Sequence, residues 1–347
     1  MSVLLAIETS CDDTSVALLS DSGDVLSNVV SSQLKAHKPF GGVVPEIASR
    51  EHLRNIPFVF QESLLQAGVD VKDIGAVAST RGPGLLGSVL VGFSFAKALS
   101  YALKVPYYGI NHIEAHLTSP WIEKRDITFP SIILVVSGGH SHLFYAEDFE
   151  NFSLISATRD DAAGEAFDKA GKKLKIPYPQ GPLIDKLARK GDPDSFKFPQ
   201  PKMKKGSDFS FSGLKTSFIC TLEKNNLSLE KFDEENLPKW VFDILASFEK
   251  SIVEHLIDRT EKAIGFYKPN SVALAGGVAA NTLLRKRFAE IAEKRGLCYS
   301  IPPLKYCTDN AAMVGFNAFN KWKKGVNSEL SIDAFSTAEW RRAKEGR

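Results

Sequence analysis

The sequence predicts an α/β protein made of two related halves that form two lobes around a nucleotide cleft. Four short apolar runs are typical of buried strands: Val3–Ile7, Ile74–Ala78, Ile132–Val136 and Ser271–Ala275. The first and third are each followed by a polar loop and a second strand, and the second and fourth by a glycine loop and a helix. This repeated order indicates a duplication in which each half can approach a phosphate from its own side.

The first half begins with a strand hairpin that runs to Leu19 and ends in the turn D-S-G-D. Pro45 then starts a helix that we expect to reach Gly68, with a kink at Pro57. After the loop R-G-P-G-L-L-G, the segment Ser88–Leu103 predicts a helix that is apolar almost all round. Such a helix is buried by its own fold or by another subunit.

The second half repeats the hairpin as I-I-L-V-V, S-G-G-H-S and H-L-F-Y-A. A mostly helical insert of about residues 156–268 separates it from the last strand, the loop G-G-V-A-A-N and a helix over residues 282–295. We expect the first lobe to span residues 1–120 and the second to span residues 121–325. Residues 326–347 are predicted to form a polar, solvated tail.

Composition gives little indication of partners. The 347 residues are 44% hydrophobic and 24% charged, as in ordinary globular proteins, and the formal net charge of +2 leaves any nucleic-acid contact to a local patch. The four cysteines form no C-x-x-C pair, which argues against a disulfide framework and a zinc ribbon. Neither a signal peptide nor a membrane-spanning run is evident, so we expect a cytoplasmic protein.

The segment Asn111–His116 reads N-H-I-E-A-H and carries the clearest chemical signal. On a helix, His112 and His116 stand on one face, one turn apart, and can share a metal ion. The zinc-peptidase motif H-E-x-x-H needs a glutamate directly after the first histidine, whereas Glu114 lies roughly 200° around the helix from His112. From the spacing, a metal site and a stacked histidine pair both stay open.

A third ligand would have to come from elsewhere in the chain. Asp309 stands at the start of an apolar helix, where an N-terminal cap is the more common role for an aspartate. Asp12, Asp13 and Asp168 are further candidates that are equally compatible with turn or cap chemistry. Three glycine loops, at residues 82–87, 137–139 and 276–277, can each hold a phosphate by backbone N–H groups, and together they favour a nucleotide.

Nine stretches, in order from residue 4 to about residue 320, resemble the universal tRNA N6-adenosine threonylcarbamoyltransferase family. Its bacterial members are called TsaD and were once described as glycoprotein endopeptidases. The stretches are I-E-T-S-C-D-D-T, G-G-V-V-P-E-I-A-S-R-E-H, R-G-P-G-L-L-G, N-H-I-E-A-H, V-S-G-G-H, A-F-D-K-A-G-K, D-F-S-F-S-G-L-K-T, A-G-G-V-A-A-N and C-T-D-N-A-A-M.

The resemblance implies the actin-like fold of the acetate and sugar kinase, heat-shock chaperone and actin superfamily. It implies that His112, His116 and Asp309 hold one divalent metal ion, iron by preference, although zinc fits the same ligands. The implied reaction transfers the threonylcarbamoyl group from threonylcarbamoyl-AMP to N6 of the adenine 3′ of the anticodon, in tRNAs that read codons beginning with A. The implied substrate contacts are Val135, Val136, Ser137, Gly138, Gly139, Asp168, Gly181, Asp185 and Asn281.

Other expectations concern the base and the partners. Either Asp12 or Asp13 can take the proton from the adenine amine, and the sequence does not choose between them. The resemblance implies a paralogue, TsaB, as a heterodimer partner, and a small ATPase, TsaE. Three lysines of the insert are candidates for tRNA phosphate contact, although a lysine run is more often a solvated loop: Lys202, Lys204 and Lys205.

Two departures from the family pattern stand out. Asp13 replaces the usual glutamate and is one methylene shorter, and Gln180 replaces the first glycine of Y-P-G-G-P. The alternatives to a transferase are an ATPase or sugar kinase of the same fold, a metallopeptidase, and a non-catalytic scaffold. The peptidase is disfavoured because Glu114 stands at the wrong position.

Overall fold

The structure is a computed structural model that describes residues 2–126, 128–199, 208–337, 340 and 342. The chain divides into two compact units. The first comprises Met1–Arg125 and Pro302–Glu339, and the second comprises Asp126–Ile301 and Trp340–Arg347. The candidate tRNA-binding residues Lys202, Lys204 and Lys205 lie outside the described residues.

The first unit contains a five-stranded sheet in the order β3-β2-β1-β4-β5. Its strands are β1 (Val3–Glu8), β2 (Asp13–Leu19), β3 (Val25–Ser32), β4 (Ile74–Gly82) and β5 (Tyr107–Asn111). β1 pairs antiparallel with β2 and parallel with β4, so the predicted hairpin is confirmed. The sequence analysis did not predict β3, which continues the antiparallel side of the sheet.

The first four α-helices of this unit are α1 (Leu34–His37), α2 (Pro45–Ala67), α3 (Leu86–Leu103) and α4 (His112–Thr118). The two long helices among them, α2 and α3, pack against the sheet and connect its strands. α2 begins at Pro45 and ends where Gly68 adopts a left-handed φ of 66°, as predicted. α2 and α3 pack on each other and on the sheet, in a core that includes Ile56, Val89 and Phe93.

α3 is the one helix of the described chain that is long and apolar enough to cross a membrane by length and composition alone. Val89, Phe93 and Ala96 lie on one face of α3 and are buried in the core of the first unit, which is the behaviour of a core helix. Leu90 and Tyr101 on the other face are exposed. Its own fold therefore buries one face of this apolar helix and leaves the other exposed.

The second unit repeats the topology of the first, in the order β10-β9-β6-β7-β8. β6 pairs antiparallel with β7 and parallel with β9, as β1 does with β2 and β4. The strands are β6 (Ser131–Val136), β7 (Ser141–Ala146), β8 (Phe152–Ala157), β9 (Ser271–Ala275) and β10 (Cys298–Ser300). The equivalent strand order and directions confirm the duplication.

The insert of the second unit is mostly helical, as predicted. Its helices and the helix after β9 are α5 (Ala163–Lys173), α6 (Gln180–Ala188), α7 (Ser212–Lys224), α8 (Lys239–Tyr267) and α9 (Thr282–Lys294). Short 3-10 helices occur in both units, at Lys38–Phe40, Val71–Asp73, Ser119–Trp121, Glu234–Asn236, Gly277–Ala280 and Leu304–Tyr306. All four cysteines are free thiols.

The last helix, α10 (Ala311–Lys323), belongs to the first unit, although the sequence analysis assigned residues up to 325 to the second lobe. α10 packs against β1 and β2. The approach is close at Gly315, where a Cβ atom would lie 2.3 Å from Leu19 Cδ1. A small residue here lets an apolar helix from the far end of the sequence cover the first sheet.

Part of the predicted polar tail is also held on the first unit. Ser328 N donates to Tyr107 O at 2.8 Å, and Phe335 N donates to Arg81 O at 2.9 Å. The guanidinium of Arg81 lies 5.1 Å from the centre of the Phe335 ring. The expectation of a solvated tail is wrong for residues 328–336, because backbone hydrogen bonds and aromatic contacts hold them.

Candidate functional site

The helix α4 carries the two histidines of N-H-I-E-A-H as the spacing predicts. Asn111 is its N-cap, and its side chain accepts from the N–H groups of Ile113 and Glu114 at 2.9 and 3.3 Å. α4 therefore starts at His112, one turn before His116, and both histidines are buried. Their ring centres lie 4.7 Å apart.

Asp309 completes a group of three potential ligands. One ligand atom from each of His112, His116 and Asp309 lies within 4.8 Å of the others. Asp309 Oδ1 is 3.1 Å from His116 Nε2 and 3.6 Å from His112 Nε2. Two ligands bound at about 2.1 Å to one ion stand about 3.0 to 3.4 Å apart at octahedral or tetrahedral angles. The two distances to Asp309 are therefore close to those expected around a single divalent metal ion.

All three potential ligands belong to the first unit, whereas the predicted bounds of the lobes placed Asp309 in the second. Asp309 is also not the cap of α10. Asn310 is the N-cap, and its Oδ1 accepts from Met313 N at 3.1 Å. The capping role that the sequence favoured for Asp309 is thus taken by its neighbour, and the Asp309 carboxylate is directed to the histidines.

Glu8, at the end of β1, is a buried partner of His112. Its Oε2 lies 3.1 Å from His112 Nδ1 and accepts from Thr80 Oγ1 at 2.5 Å, while Oε1 accepts from Ser10 N at 2.5 Å. A carboxylate beside Nδ1 places one ring hydrogen there and leaves Nε2, which faces Asp309, as the position for a second proton or a metal ion. Metal-binding histidines are usually oriented by an outer partner of this kind.

The charges of this cluster shift the pKa values of two groups in opposite directions. Burial opposes a charge on His112, but the carboxylates of Asp309 and Glu8 outweigh it and raise the pKa of His112 to about 9. Burial likewise opposes ionisation of Glu8, yet the adjacent His112 and the Thr80 hydroxyl hold the pKa of Glu8 below its ordinary value. The site therefore favours a cation, either a proton or a metal ion, between the carboxylates.

Glu114 takes no part in the cluster. Its carboxylate lies 3.4 Å from Lys321 Nζ on α10, where it forms an ion pair. A peptidase of the H-E-x-x-H type needs its glutamate at the metal. The peptidase alternative therefore has no general base at the position that its mechanism requires.

The loop after β1 contains Asp12, leads to Asp13 at the start of β2, and is held by His52 of α2. His52 Nε2 donates to Cys11 O at 3.0 Å, and His52 Nδ1 accepts from Thr14 Oγ1 at 2.8 Å. Burial lowers the pKa of His52, which favours the neutral ring that this pair of contacts needs. The sequence analysis included His52 only within the family stretch G-G-V-V-P-E-I-A-S-R-E-H and assigned it no role.

Asp13 has the environment of an acid with an unusual affinity for protons. Burial, with the charges of Asp12, Asp309 and Glu8, raises the pKa of Asp13 to about 7 against a hydrogen bond from Ser32. Among the described residues, its Oδ1 is buried without a hydrogen-bond partner. Asp13 is therefore poised to exchange a proton near neutral pH.

The three glycine loops differ in how much space they leave. In the first, a Cβ atom on Gly82 would lie 2.0 Å from Phe335 O, and one on Gly84 would lie 2.6 Å from Ser10 O. By contrast, a Cβ atom on Gly138, Gly139 or Gly277 would meet no atom of the described residues within 4 Å. The first loop is packed against its own unit, and only the other two leave open space for a ligand.

The predicted contacts Val135 and Val136 lie in β6, with fully buried side chains. Ser137 N donates to His140 O at 2.8 Å, which forms a tight turn with Gly138 and Gly139 exposed at its tip. Gly276 adopts a φ of 89°, and a Cβ atom there would lie 2.4 Å from Val136 O, so both the backbone conformation and the close approach require glycine. The S-G-G-H and G-G-V-A-A-N loops thus lie side by side in the second unit.

The remaining predicted residues are linked to these loops through the helices of the insert. Gly181 N donates to Asp168, and burial raises the pKa of Asp168 to about 6 despite this hydrogen bond. Asp185 accepts from Thr282 N and Thr282 Oγ1, both at 2.9 Å. Asn281 Nδ2 donates to Glu249 Oε1 at 2.6 Å.

The departure at Gln180 is accommodated without disturbing this arrangement. Gln180 is the first residue of α6 and is buried. A Cβ atom on Gly171 would lie 2.6 Å from the side chain of Gln180. The longer side chain therefore occupies the space that Gly171 of α5 leaves.

Comparison with known proteins bears directly on this geometry. A family profile described as "TsaD: tRNA N6-adenosine threonylcarbamoyltransferase" matches residues 24–316. The tRNA N6-adenosine threonylcarbamoyltransferase of Thermosipho africanus is 48% identical over 333 residues, which cover 96% of this chain and 98% of that protein. The chain belongs to this family. Its enzymes, the tRNA N6-adenosine threonylcarbamoyltransferases, form threonylcarbamoyladenosine in tRNA, and this chain is one of them.

Other members of the family and two solved structures agree. The threonylcarbamoyltransferase of Caldicellulosiruptor saccharolyticus is 47% identical over 332 residues, 96% of each chain. Full-length HypF, in a phosphate- and nucleotide-bound form, matches 94% of this chain and 56% of its own with a TM-score of 0.59 at 13% identity. Component A of (R)-2-hydroxyglutaryl-CoA dehydratase from Acidaminococcus fermentans matches 94% of this chain and 100% of its own with a TM-score of 0.55 at 15% identity. These structures show the predicted actin-like fold.

Proposed function

We propose that this threonylcarbamoyltransferase works with one divalent metal ion, iron(II) or zinc, held by His112, His116 and Asp309. The observation that carries the proposal is the convergence of their ligand atoms within 4.8 Å, with His112 oriented by Glu8. Two imidazoles and one carboxylate suit both metals and leave coordination positions open. A bound ion would supply Lewis-acid polarisation of an acyl oxygen of the donor.

Asp13 is our proposed base for the adenine amine, in preference to Asp12. An efficient base has a pKa near the working pH, and burial with neighbouring charges raises the pKa of Asp13 to about 7. Asp13→Asn should lower the rate of transfer strongly and remove its dependence on pH near 7. Asp12→Asn should retain that dependence, and the reverse pattern would assign the base to Asp12.

The donor is proposed to contact the second unit through Ser137, Gly138 and Gly139, through Asp168 and Gly181, and through Asp185 and Asn281. The open space around Gly138, Gly139 and Gly181 supports the approach of a ligand to the backbone. The family contact range also includes Val135 and Val136, whose burial limits them to backbone contacts. Backbone N–H groups of such loops suit the phosphate of an adenylate.

The test is a transfer assay with labelled threonylcarbamoyl-AMP and a tRNA that reads codons beginning with A. We expect transfer by the wild type and a loss of at least about 100-fold in His112→Ala, because a ligand of the cation is removed. Glu114→Gln, on the same helix but paired with Lys321, is the matched control and should retain transfer. Equal activity of His112→Ala and the wild type would refute the role of the metal.

A TsaB-like paralogue is the partner that we propose for the outer face of α2 and α3. Leu53, Phe58 and Leu65 on α2, with Leu90 and Tyr101 on α3, are large apolar side chains exposed to solvent. An apolar surface of adjacent helices is typical of a subunit interface. The resemblance to the family supplies the identity of the partner.

Leu90→Glu should abolish co-purification of the paralogue, whereas Leu304→Glu, an exposed leucine outside these helices, should retain it. Retention by both variants would exclude this face.

The small ATPase TsaE is proposed to join the assembly, and the same experiment with labelled TsaE tests that association. We also propose that the enzyme acts in the cytoplasm.

Contact between tRNA and Lys202, Lys204 and Lys205 stays a prediction from the sequence. Replacement of all three by alanine should weaken tRNA binding. It should also reduce the slope of log affinity against log salt concentration, because up to about three fewer counterions are released. Unchanged affinity and slope would remove this role.

A further inference from the structure

The side-chain amide of Asn281 is held from two directions by groups of its own unit. Its Oδ1 accepts from Leu284 N at 2.8 Å, which caps α9, and its Nδ2 donates to Glu249 Oε1 at 2.6 Å. The oxygen faces a donor and the nitrogen faces a carboxyl group, so the orientation of the amide is determined. Because Nδ2 has two hydrogens, the contact with Glu249 leaves the second one for a ligand.

Glu249 is an unusual residue for its position. It lies near the middle of α8 and is only 3% exposed, among the apolar side chains Leu245, Ile252 and Val253 of the same helix. A carboxyl group buried in such surroundings is unfavourable unless it has a polar partner. Asn281 is that partner, and Glu249 is therefore not part of a simple hydrophobic interface.

The charged groups that act on the carboxyl group of Glu249 are Asp185 of α6 and Arg189, which directly follows that helix. Arg189 Nη2 lies 3.3 Å from Asp185 Oδ2. The other neighbours of α8 include β6, which carries no ionisable side chain, and α7, which contacts α8 through Phe218 and Phe248 with ring centres 4.8 Å apart. α9 also packs on α8, and its Arg287 pairs with Glu254 at 2.9 Å, while Arg285 of α9 donates to Ala279 O at 3.0 Å.

Asp185 holds the residue that follows Asn281. It accepts from both the backbone N–H and the hydroxyl of Thr282 at 2.9 Å. The junction between the G-G-V-A-A-N loop and α9 thus forms hydrogen bonds with one carboxyl group from α6 and another from α8. These two contacts restrict the loop more than the N-cap of α9 would alone.

We propose that Glu249 is a positioning residue for the transfer reaction, one that orients the Asn281 amide so that its free hydrogen contacts threonylcarbamoyl-AMP. The inference rests on the proposed role of Asn281 as a donor contact. Glu249 itself does not touch the donor. Its effect is expected on donor binding, through Asn281, and not on the chemistry at the adenine amine.

The protonation state of Glu249 provides a specific signature. Burial raises the pKa of Glu249 to about 8, with the Asn281 hydrogen bond and Arg189 opposing this and Asp185 adding to it. Near neutral pH the carboxyl group is mainly neutral and accepts through Oε1, a form that glutamine reproduces. Ionisation above pH 8 adds a negative charge next to Asp185, and repulsion between the two carboxylates loosens the junction.

The experiment compares KM for threonylcarbamoyl-AMP and kcat for transfer to tRNA between pH 6.5 and 9, in the assembled enzyme. Glu249→Ala should raise KM about tenfold, as expected for loss of the partner of a buried amide, with kcat changed less than about twofold. Glu249→Gln should match the wild type at pH 7. Above pH 8, KM should rise for the wild type but not for Glu249→Gln. Glu254→Gln, also on α8 but paired with Arg287, is the control.

Each outcome decides for or against the proposal. A wild-type KM in Glu249→Ala, or an alkaline rise in Glu249→Gln equal to that of the wild type, overturns it. If Glu249→Ala does not fold, the pH profile of Glu249→Gln decides alone. Asn281→Ala distinguishes the proposed donor contact from the proposed positioning role. An unchanged KM in Asn281→Ala removes Asn281 from the donor site. A raised KM in Asn281→Ala together with a wild-type KM in Glu249→Ala refutes only the positioning role of Glu249.

Discussion

Glu8→Gln is the change that most sharply tests how the metal ligands are oriented. The Glu8 carboxylate accepts from Ser10 N and Thr80 Oγ1 and faces His112 Nδ1 at 3.1 Å. A glutamine has one acceptor oxygen and one NH2 group. If the oxygen faces His112, the NH2 group meets Ser10 N–H. If the NH2 group faces His112, the ring must carry its hydrogen on Nε2, where the metal would bind.

Either arrangement should weaken metal binding while leaving the three ligands in place. Loss of an outer partner of a metal-binding histidine typically lowers affinity by about 10- to 100-fold, which is about 1.4 to 2.7 kcal/mol. Thr80→Val removes only one hydrogen bond to Glu8 and should have a smaller effect. Titration of the purified chain with Zn2+ or Co2+ against a competing chelator measures these affinities directly.

Glu114→Gln is the matched control, since Glu114 lies on the same helix as the ligands but pairs with Lys321. Its metal affinity should equal that of the wild type within about twofold. If Glu8→Gln binds the metal as tightly as the control, or if both variants lose the same affinity, the orienting role of Glu8 is refuted.

Replacements in the loops and at two buried titratable groups should affect stability in distinct ways. Gly84→Ala should lower the free energy of unfolding by about 2 kcal/mol or more, because its Cβ atom would lie 2.6 Å from a backbone oxygen. Gly138→Ala has open space and should be as stable as the wild type, but it should bind the donor more weakly. Equal thermal midpoints of the two variants would contradict this. His52→Leu should lower the unfolding free energy by about 2 kcal/mol, since both groups that His52 bridges lose their partners, and an unchanged denaturant midpoint would count against it. Because the pKa of Glu249 rises from 4.5 to about 8 on folding, its contribution to stability is present below pH 4.5 and is lost as the pH rises through 8. Relative to the wild type, Glu249→Gln should therefore gain stability across that window, up to about 5 kcal/mol, and parallel pH profiles of the two melting temperatures would exclude the shift.

Regular periodicities in the sequence predicted the duplicated fold well. The strand at residues 271–275 and the start of α2 at Pro45 have the predicted bounds, because unbroken apolar runs and an N-terminal proline are local signals. β3 went unpredicted because polar residues such as Ser27 and Asn28 interrupt its apolar pattern. Its strand character comes from pairing with β2, which is a tertiary interaction.

The unit to which Asp309 belongs could not be read from its position in the chain. Sequence order suggested the second lobe, yet α10 returns to the first sheet and brings Asp309 to the histidines of α4. The motif resemblance nevertheless selected three residues whose side chains the structure brings together. Their distances, and the identity of Asn310 as the cap, depend on how α10 packs.

Glu8 and Glu249 show where sequence reasoning ends. Glu8 had a local signal, since a carboxylate directly after an apolar strand is costly to bury without a partner. Glu249 had no local sequence signal, because its partner Asn281 lies 32 positions further along the chain. The glycine loops were also indistinguishable as sequences, and only their neighbours separate the packed first loop from the open second and third.

The most direct test of the central claim is the metal content of the purified chain, measured by elemental analysis in the wild type and in Asp309→Ala. We predict about one equivalent of iron or zinc per wild-type chain and less than about a tenth of an equivalent in Asp309→Ala, with both proteins folded. A folded Asp309→Ala variant that retains a full equivalent, or a wild type that binds none when supplied with either metal, would contradict the account.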